Sequence, residues 1–178
     1  MVQSSLGGIV YGNLSEVAET SGSLMGQSTD ESWILENLDA TRCLGIALVQ
    51  RLPALSVLLL EGPLGAGKTS VVQGIATALG IREPITSPTY ALAQHYPDGN
   101  PPLIHLDLYR LEQPSTANEL FLQEEEEAQA LGALMAVEWP DRLSLNLPEA
   151  WRLQLHHRAQ GGRVAQFTSP ATDPKNSS

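Results

Sequence analysis

Residues 57–69 read Val-Leu-Leu-Leu-Glu-Gly-Pro-Leu-Gly-Ala-Gly-Lys-Thr, and this stretch decides the fold of the chain. Its first four residues, Val57 to Leu60, form a short apolar run that is typical of a buried parallel strand. Gly62 then begins the pattern G-x-x-x-x-G-K-T, which ends at Thr69. Apolar residues recur at helical spacing from 70 to 79. Strand, glycine-rich loop and helix therefore follow one another in the order of a P-loop.

A loop of this kind binds phosphate groups. Its glycines allow backbone N–H groups to turn towards an anion, and the next helix adds the partial positive charge of its N-terminus. We expect Lys68 to reach the β- and γ-phosphates of a nucleotide and the Thr69 hydroxyl to bind Mg²⁺. The predicted nucleotide-binding residues of this stretch are Gly62, Leu64, Gly65, Ala66, Gly67, Lys68, Thr69 and Ser70.

The composition limits the classes of protein to consider. A chain of 178 residues has enough material for one domain with its own core. The formal net charge of −10 argues against a broad basic surface for direct binding of RNA or DNA. The single cysteine, Cys43, excludes an intrachain disulfide framework, and its apolar helical surroundings predict a small core residue. With no signal-peptide pattern and no apolar run of about 20 residues, we expect a cytoplasmic protein that does not enter a membrane.

The chain divides into two tails and one domain. Residues 1–28 and 169–178 are rich in small and polar residues and are predicted to be disordered, which leaves a domain over residues 29–168. Helices are predicted over 39–52, with Asp39 as the N-cap, over 70–79 and over 115–131. Strands are predicted over 32–35, 57–60, 90–96, 103–109, 133–139, 151–157 and 162–167. The pattern indicates an α/β protein of the P-loop NTPase type, with a mixed, mostly parallel sheet flanked by helices.

Two carboxylates close apolar runs and are candidates for the metal site. Asp107 ends the run that begins at Leu103, and Glu138 ends the run that begins at Ala133. The carboxyl edge of a parallel sheet is where ligands bind, so either acid could order Mg²⁺ while the other polarises an attacking water. The sequence leaves the division of these roles open. His105 lies on the same strand face as Asp107, and we expect it to hydrogen-bond a neighbour rather than bind metal.

The charged and histidine-containing segments outside this region are given ordinary structural interpretations. Residues 124–127 are four consecutive glutamates, which are predicted to form a solvated helix face. His156 and His157 lie near the closing hairpin and are predicted to be surface residues.

Four motifs in a fixed order resemble the TsaE family, formerly YjeE, of bacterial ATPases in tRNA threonylcarbamoyladenosine synthesis. They are residues 64–69 (Leu-Gly-Ala-Gly-Lys-Thr), 87–90 (Ser-Pro-Thr-Tyr), 105–110 (His-Leu-Asp-Leu-Tyr-Arg) and 138–140 (Glu-Trp-Pro). The resemblance covers residues 32–167. It implies binding and weak hydrolysis of Mg²⁺-ATP, with TsaB and TsaD as partners that transfer threonylcarbamoyl to N6 of an adenosine beside the anticodon. On this resemblance the chain resets that complex and meets tRNA only through its partners.

The resemblance also assigns roles to individual residues. It implies that Lys68 acts on the phosphates, that Thr69, Asp107 and Glu138 serve the metal and the water, and that Lys68, Asp107 and Glu138 are catalytic. It places Thr89 in a switch-like loop and Trp139 beside the nucleotide. Pro63 stands where the family often has Asp, and Ser70 replaces a common Thr.

Two other functions remain possible on the sequence. A P-loop kinase for small molecules would share the loop, but the arginines available for a lid, Arg110 and Arg142, are not clustered. A nucleotide-dependent adaptor would use ATP as a switch ligand and the glutamates of residues 124–127 as a docking surface.

Overall fold

The structure, a computed structural model, describes residues 30–170. The predicted tail over 1–28 and all but the first two residues of the predicted tail over 169–178 lie outside the described residues. The strands are β1 (Asp30–Leu35), β2 (Val57–Glu61), β3 (Ala93–Tyr96), β4 (Leu103–Asp107), β5 (Leu134–Glu138), β6 (Trp151–His157) and β7 (Arg163–Thr168). The helices are α1 (Leu38–Val49), α2 (Lys68–Ala78) and α3 (Pro114–Leu131), and Pro140–Arg142 forms one short 3₁₀ turn.

The strands form one seven-stranded sheet in the order β1-β7-β6-β2-β5-β4-β3. The four central strands β6, β2, β5 and β4 run parallel, and β3, β7 and β1 add antiparallel pairs at the two edges. Strands β2, β4 and β5 are near-continuous apolar runs, as expected for strands that are covered on both faces, whereas β6 alternates polar and apolar residues. The predicted mixed α/β sheet flanked by helices is confirmed.

Helices cover the two faces of the sheet unequally. α1 and α2 pack together over one face, around Leu58, Leu60 and Leu153, whereas α3 covers Ile104 and Met135 on the other. Glycines allow the close crossing of α1 and α2, because a Cβ on Gly45 would overlap the carbonyl oxygen of Val71 and one on Gly74 would overlap that of Arg42. The crossing holds α2, and with it the glycine-rich loop, firmly against the sheet.

Several predicted element boundaries are wrong by a few residues. The N-cap of α1 is Asn37, whose side chain accepts a hydrogen bond from the Ala40 N–H (2.8 Å), while the predicted cap Asp39 pairs with Arg42 inside the helix. The helix ends at Val49 rather than at residue 52. Both Asn and Asp are good caps, so propensity alone could not choose between positions two residues apart.

The strands beside the site are shorter than predicted. β3 begins at Ala93 rather than at Tyr90, because Leu92 takes a positive φ of 69° in a turn closed onto Pro88. β4 ends at Asp107 rather than at Tyr109, because the Asp107 side chain accepts the backbone N–H of Tyr109 and turns the chain. The chain therefore leaves the sheet at the two positions that flank the proposed metal site.

Two predictions about burial are also wrong. Cys43 is exposed, because the buried stripe of α1 is narrow and runs along Thr41, Leu44, Gly45 and Leu48. The glutamate run of residues 124–127 is not uniformly solvated.

The first glutamate of that run, Glu124, is buried. Its carboxylate bonds His95 on the edge strand β3 (2.6 Å). Glu126 and Glu127 are exposed as predicted, and so are His156 and His157.

Candidate nucleotide site

The glycine-rich loop wraps the N-terminus of α2 with three glycines at positive φ: Gly62 at 140°, Gly65 at 77° and Gly67 at 104°. Residues with a Cβ rarely adopt these angles. Gly67 is the N-cap of α2 and offers no side chain to cap it, so the first backbone N–H groups of the helix are available to another acceptor. The loop thus has the shape and the polarity of an anion site.

Lys68 is folded back over this loop. Its side chain is buried at 4% exposure, and Nζ donates to the carbonyl oxygens of Gly62 (2.7 Å) and Pro63 (3.1 Å). The ammonium also lies 3.8 Å from the centre of the Trp139 ring. Burial lowers the pKa of Lys68 below its ordinary value, and the nearby carboxylates of Glu138, Asp107 and Asp141 oppose part of that shift.

Glu138 connects the helix to the sheet at the end of β5. Its Oε1 accepts a hydrogen bond from the Thr69 hydroxyl (2.8 Å) and a second one from Nε2 of His105 (2.9 Å). His105 is fully buried, and its Nδ1 has no hydrogen-bond partner within residues 30–170. As predicted, His105 hydrogen-bonds a neighbour. The two donors hold the Glu138 carboxylate in a fixed orientation beside α2.

Asp107 stands next to Glu138 in the register of the parallel strands β4 and β5. Its Oδ2 accepts from the hydroxyls of Ser87 and Thr89, and its Oδ1 accepts from the backbone N–H of Tyr109 (3.0 Å). The Ser-Pro-Thr loop is therefore attached to a strand-end carboxylate, which connects Thr89 to the site predicted from sequence.

Trp139 forms a wall of the site. Its φ of 61° is left-handed, and its ring contacts both the Lys68 ammonium and the ring of Tyr109, whose centre is 4.8 Å away. Tyr90 is 88% exposed, and the guanidinium of Arg110 lies over its ring (4.6 Å to the ring centre). A cavity of about 500 Å³ opens between the Gly62–Pro63 entrance of the loop and the turn that follows Trp139.

The structure brings most of the predicted site residues together. Thr69 and Glu138 are in contact, Lys68 lies beside Trp139, and Asp107 is adjacent in the sheet. The side chain of Leu64 is 72% exposed at the tip of the loop, so only its backbone faces the site.

Sequence reasoning missed two residues beside Gly67, which are Thr41 from α1 and Arg163 from β7. They lie 122 positions apart in the chain, and no local pattern indicated that they meet.

The oxygen donors of the site suit a cation that is shared with phosphate groups. Among residues 30–170, no cluster of three or more His, Cys, Asp or Glu side chains forms a metal site. Mg²⁺ in nucleotide sites usually keeps waters and takes one or two carboxylates together with phosphate oxygens. Thr69, Asp107 and Glu138 supply oxygen donors of this kind. No helix in the described range 30–170 has the length and apolar content needed to cross a membrane.

The fold and the glycine-rich loop together place the chain in the class of α/β proteins with a P-loop NTPase-like fold. The sequence model of one family, "Threonylcarbamoyl adenosine biosynthesis protein TsaE", matches residues 35–165. The chain belongs to the TsaE family, whose proteins take part in tRNA threonylcarbamoyladenosine biosynthesis.

Relatives and a solved structure agree with this assignment. The TsaE protein of a Nostoc species is 42% identical over 135 residues, covering 75% of this chain and 83% of the relative. That of Bacillus subtilis is 39% identical over 115 residues, covering 65% and 69%. The crystal structure of YdiB from the same bacterium superposes with a TM-score of 0.64 at 26% identity, covering 81% of this chain and 88% of the other.

Proposed function

We propose that the chain is a Mg²⁺-dependent ATPase required to form threonylcarbamoyladenosine in tRNA, at N6 of the adenosine beside the anticodon. It acts in the cytoplasm with the TsaB–TsaD complex and is not itself the transferase. One observation carries the proposal: Thr69, at the start of the helix behind a phosphate-binding loop, is bonded to the strand-end carboxylate Glu138.

The phosphates would be bound by the loop and by Lys68. The N–H groups at the uncapped start of α2 would donate to them, and the Lys68 ammonium would leave the carbonyls of Gly62 and Pro63 to pair with the terminal phosphates. Pairing with an anion removes the cost of burying this ammonium, which its lowered pKa expresses.

Thr69, Asp107 and Glu138 would hold Mg²⁺, directly or through water. When bound, the ion would neutralise charge on the phosphates during transfer. The contacts suggest a division of labour between the acids. Both oxygens of Asp107 hold the loop of Ser87 and Thr89 and the turn at Tyr109, so Asp107 would connect the metal to that loop.

Glu138 is the better candidate for orienting the attacking water. Its Oε1 accepts both the Thr69 and the His105 hydrogen bonds, which fix the carboxylate and leave Oε2 to accept from water. His105 would then act as a positioning residue through Glu138.

The net charge supports indirect handling of tRNA. A chain of charge −10 repels a polyanion, so we expect the partners to supply the tRNA-binding surface.

The test is ATP hydrolysis by the purified chain, alone and with TsaB–TsaD. Lys68→Ala should abolish turnover, whereas Lys175→Ala, the only other lysine, is the matched control and should not. We expect the partners to stimulate hydrolysis. Unchanged turnover with the partners would contradict their role, and activity in Lys68→Ala would contradict the site.

Two further results would favour the other functions. Appearance of the phosphate on a metabolite rather than as inorganic phosphate would indicate a kinase. Full tRNA modification with a non-hydrolysable ATP analogue would indicate an adaptor.

A further inference from the structure

Arg163, the first residue of β7, is a half-buried cation with no anionic partner among the described residues 30–170. Its Nη1 donates a long hydrogen bond to the Thr41 hydroxyl (3.3 Å). Its Nε is buried and has no hydrogen-bond partner within residues 30–170, and none of the ion pairs of that range includes it. Burying part of a guanidinium without a counter-charge is unfavourable, so this arrangement needs an explanation.

Arg163 lies against the N-cap of α2. A Cβ placed on Gly67 would stand 3.5 Å from Nε of Arg163, 3.7 Å from its Cδ and 3.3 Å from Cγ2 of Thr41. The guanidinium is thus in contact range of the same residue that opens the phosphate-binding helix. The guanidinium and the start of the helix are therefore immediate neighbours, at a residue whose φ of 104° favours glycine.

The order of the strands says which part of a nucleotide would meet Arg163. The loop follows β2, and the acids Glu138 and Asp107 end β5 and β4 on one side of it. β6 and β7 lie on the other side, with Arg163 at the end of β7 that faces the loop. If Mg²⁺ and the terminal phosphates lie towards the acids, the nucleoside end lies towards β7.

We propose that Arg163 binds the α-phosphate of the nucleotide and that Thr41 positions its guanidinium. This rests on the proposed nucleotide site. The planar fork of arginine donates two parallel hydrogen bonds to phosphate oxygens, and a phosphate would satisfy the buried Nε. In a chain of net charge −10, a local cation at this point also offsets the repulsion of a polyanionic ligand. The inner phosphate is common to ATP and ADP, so Arg163 should not distinguish them.

The experiment measures equilibrium binding of Mg²⁺-ATP and Mg²⁺-ADP to wild type, Arg163→Gln and Arg51→Gln. Arg51→Gln is the matched control, because it removes the same charge at a residue that pairs with Glu31 and lies beyond the C-terminal end of α1. We expect Arg163→Gln to weaken both nucleotides equally, by about 10- to 100-fold, and Arg51→Gln to leave both unchanged. Thr41→Val should weaken both by a smaller, equal factor.

Three results would overturn this role. Wild-type affinities in Arg163→Gln would exclude a nucleotide contact, and a lower melting temperature of the nucleotide-free variant would then make the residue structural. Loss of ATP binding alone would place it on the γ-phosphate. A collapse of the preference for ATP over GTP, measured with Mg²⁺-GTP in the same assay, would place it on the base. If wild type bound neither nucleotide, the proposed function itself would fail, whereas a normal wild type with an indifferent Arg163→Gln refutes only the α-phosphate contact.

Discussion

Replacing Glu138 separates its structural role from its chemical one, because two substitutions differ in what they leave behind. Glu138→Ala removes the acceptor for Thr69 and His105 together. Glu138→Gln keeps an acceptor oxygen in the same place and removes only the negative charge. We therefore expect the two variants to differ in stability and to agree in catalysis.

The magnitude of the stability difference follows from burial. His105 is fully buried and its Nδ1 is already unpartnered, so the alanine variant leaves Nε2 without a partner as well. An orphaned buried donor costs about 1–3 kcal/mol, and the lost hydrogen bond from Thr69 adds about 1 kcal/mol. We expect Glu138→Ala to lower the free energy of unfolding by about 3 kcal/mol and Glu138→Gln to lower it by about 1 kcal/mol or less.

The rate of ATP hydrolysis should depend on the negative charge of Glu138 rather than on the shape of its side chain. A carboxylate that orients and polarises water contributes about 10²- to 10⁴-fold, and an amide cannot replace it. Steady-state ATP hydrolysis should fall by at least about 100-fold in both variants, with the Kd for Mg²⁺-ATP nearly unchanged in Glu138→Gln. Urea unfolding measures the stability of the same preparations.

Two outcomes would refute this reasoning. If Glu138→Gln hydrolyses ATP within about threefold of wild type, the carboxylate is not needed for the water, and that role passes to Asp107. If Glu138→Gln loses nucleotide binding instead, Glu138 is chiefly a metal anchor.

Three further changes test other parts of the structure. Asp107→Asn should raise the Mg²⁺ concentration for half-maximal hydrolysis by about 10- to 100-fold; an unchanged Mg²⁺ titration would leave Asp107 as an anchor of the Ser-Pro-Thr loop only. Gly74→Ala should lower the melting temperature, at a cost of about 1–3 kcal/mol, because its Cβ meets the Arg42 carbonyl oxygen; wild-type stability would contradict the close crossing of α1 and α2. Burial, and to a smaller extent the charge of Glu83, raises the pKa of Tyr96 in the folded protein. The neutral tyrosine therefore stabilises the fold at pH values below its unfolded pKa of about 10. This stabilisation is lost as the pH rises through the higher pKa of the folded state. Tyr96→Phe should therefore flatten the loss of stability above about pH 10 in urea unfolding, without a loss near pH 7, since the buried hydroxyl has no partner within residues 30–170; an equal alkaline loss in both proteins would assign it to another group.

The parts of the site that sequence predicted are those set by local rules. The glycine-rich loop is contiguous, and its flanking strand and helix follow directly from apolar spacing. Asp107 and Glu138 were placed at strand ends because each closes an apolar run, and parallel strands bring such ends to one edge. The structure pairs them as direct neighbours in register. That pairing required only that β4 and β5 be adjacent.

The parts of the structure that the sequence did not predict depend on tertiary packing between elements that are distant in the chain. The buried stripe of α1 is set by its crossing with α2, so Cys43 faces outwards although its neighbours in sequence are apolar. Glu124 is buried because the edge strand β3 brings His95 over α3. Arg163 and Thr41 meet because β7 and α1 both begin beside Gly67. None of these contacts leaves a periodic signal in the sequence.

Trp139 shows how the site stores conformational strain. A left-handed φ at a bulky residue costs about 1–3 kcal/mol, and such strain persists only where surrounding contacts impose it. Those contacts are the Lys68 ammonium and the ring of Tyr109, both packed against the indole. The same indole thus helps to hold Lys68 on the loop carbonyls. A phosphate that enters the loop must compete with the loop carbonyls and with the Trp139 ring for the Lys68 ammonium, because one ammonium cannot bind all of them at full strength. A contact that repositions Trp139 would therefore change the affinity of the loop for phosphate. On the proposed function, a partner protein that made this contact would control turnover through Lys68.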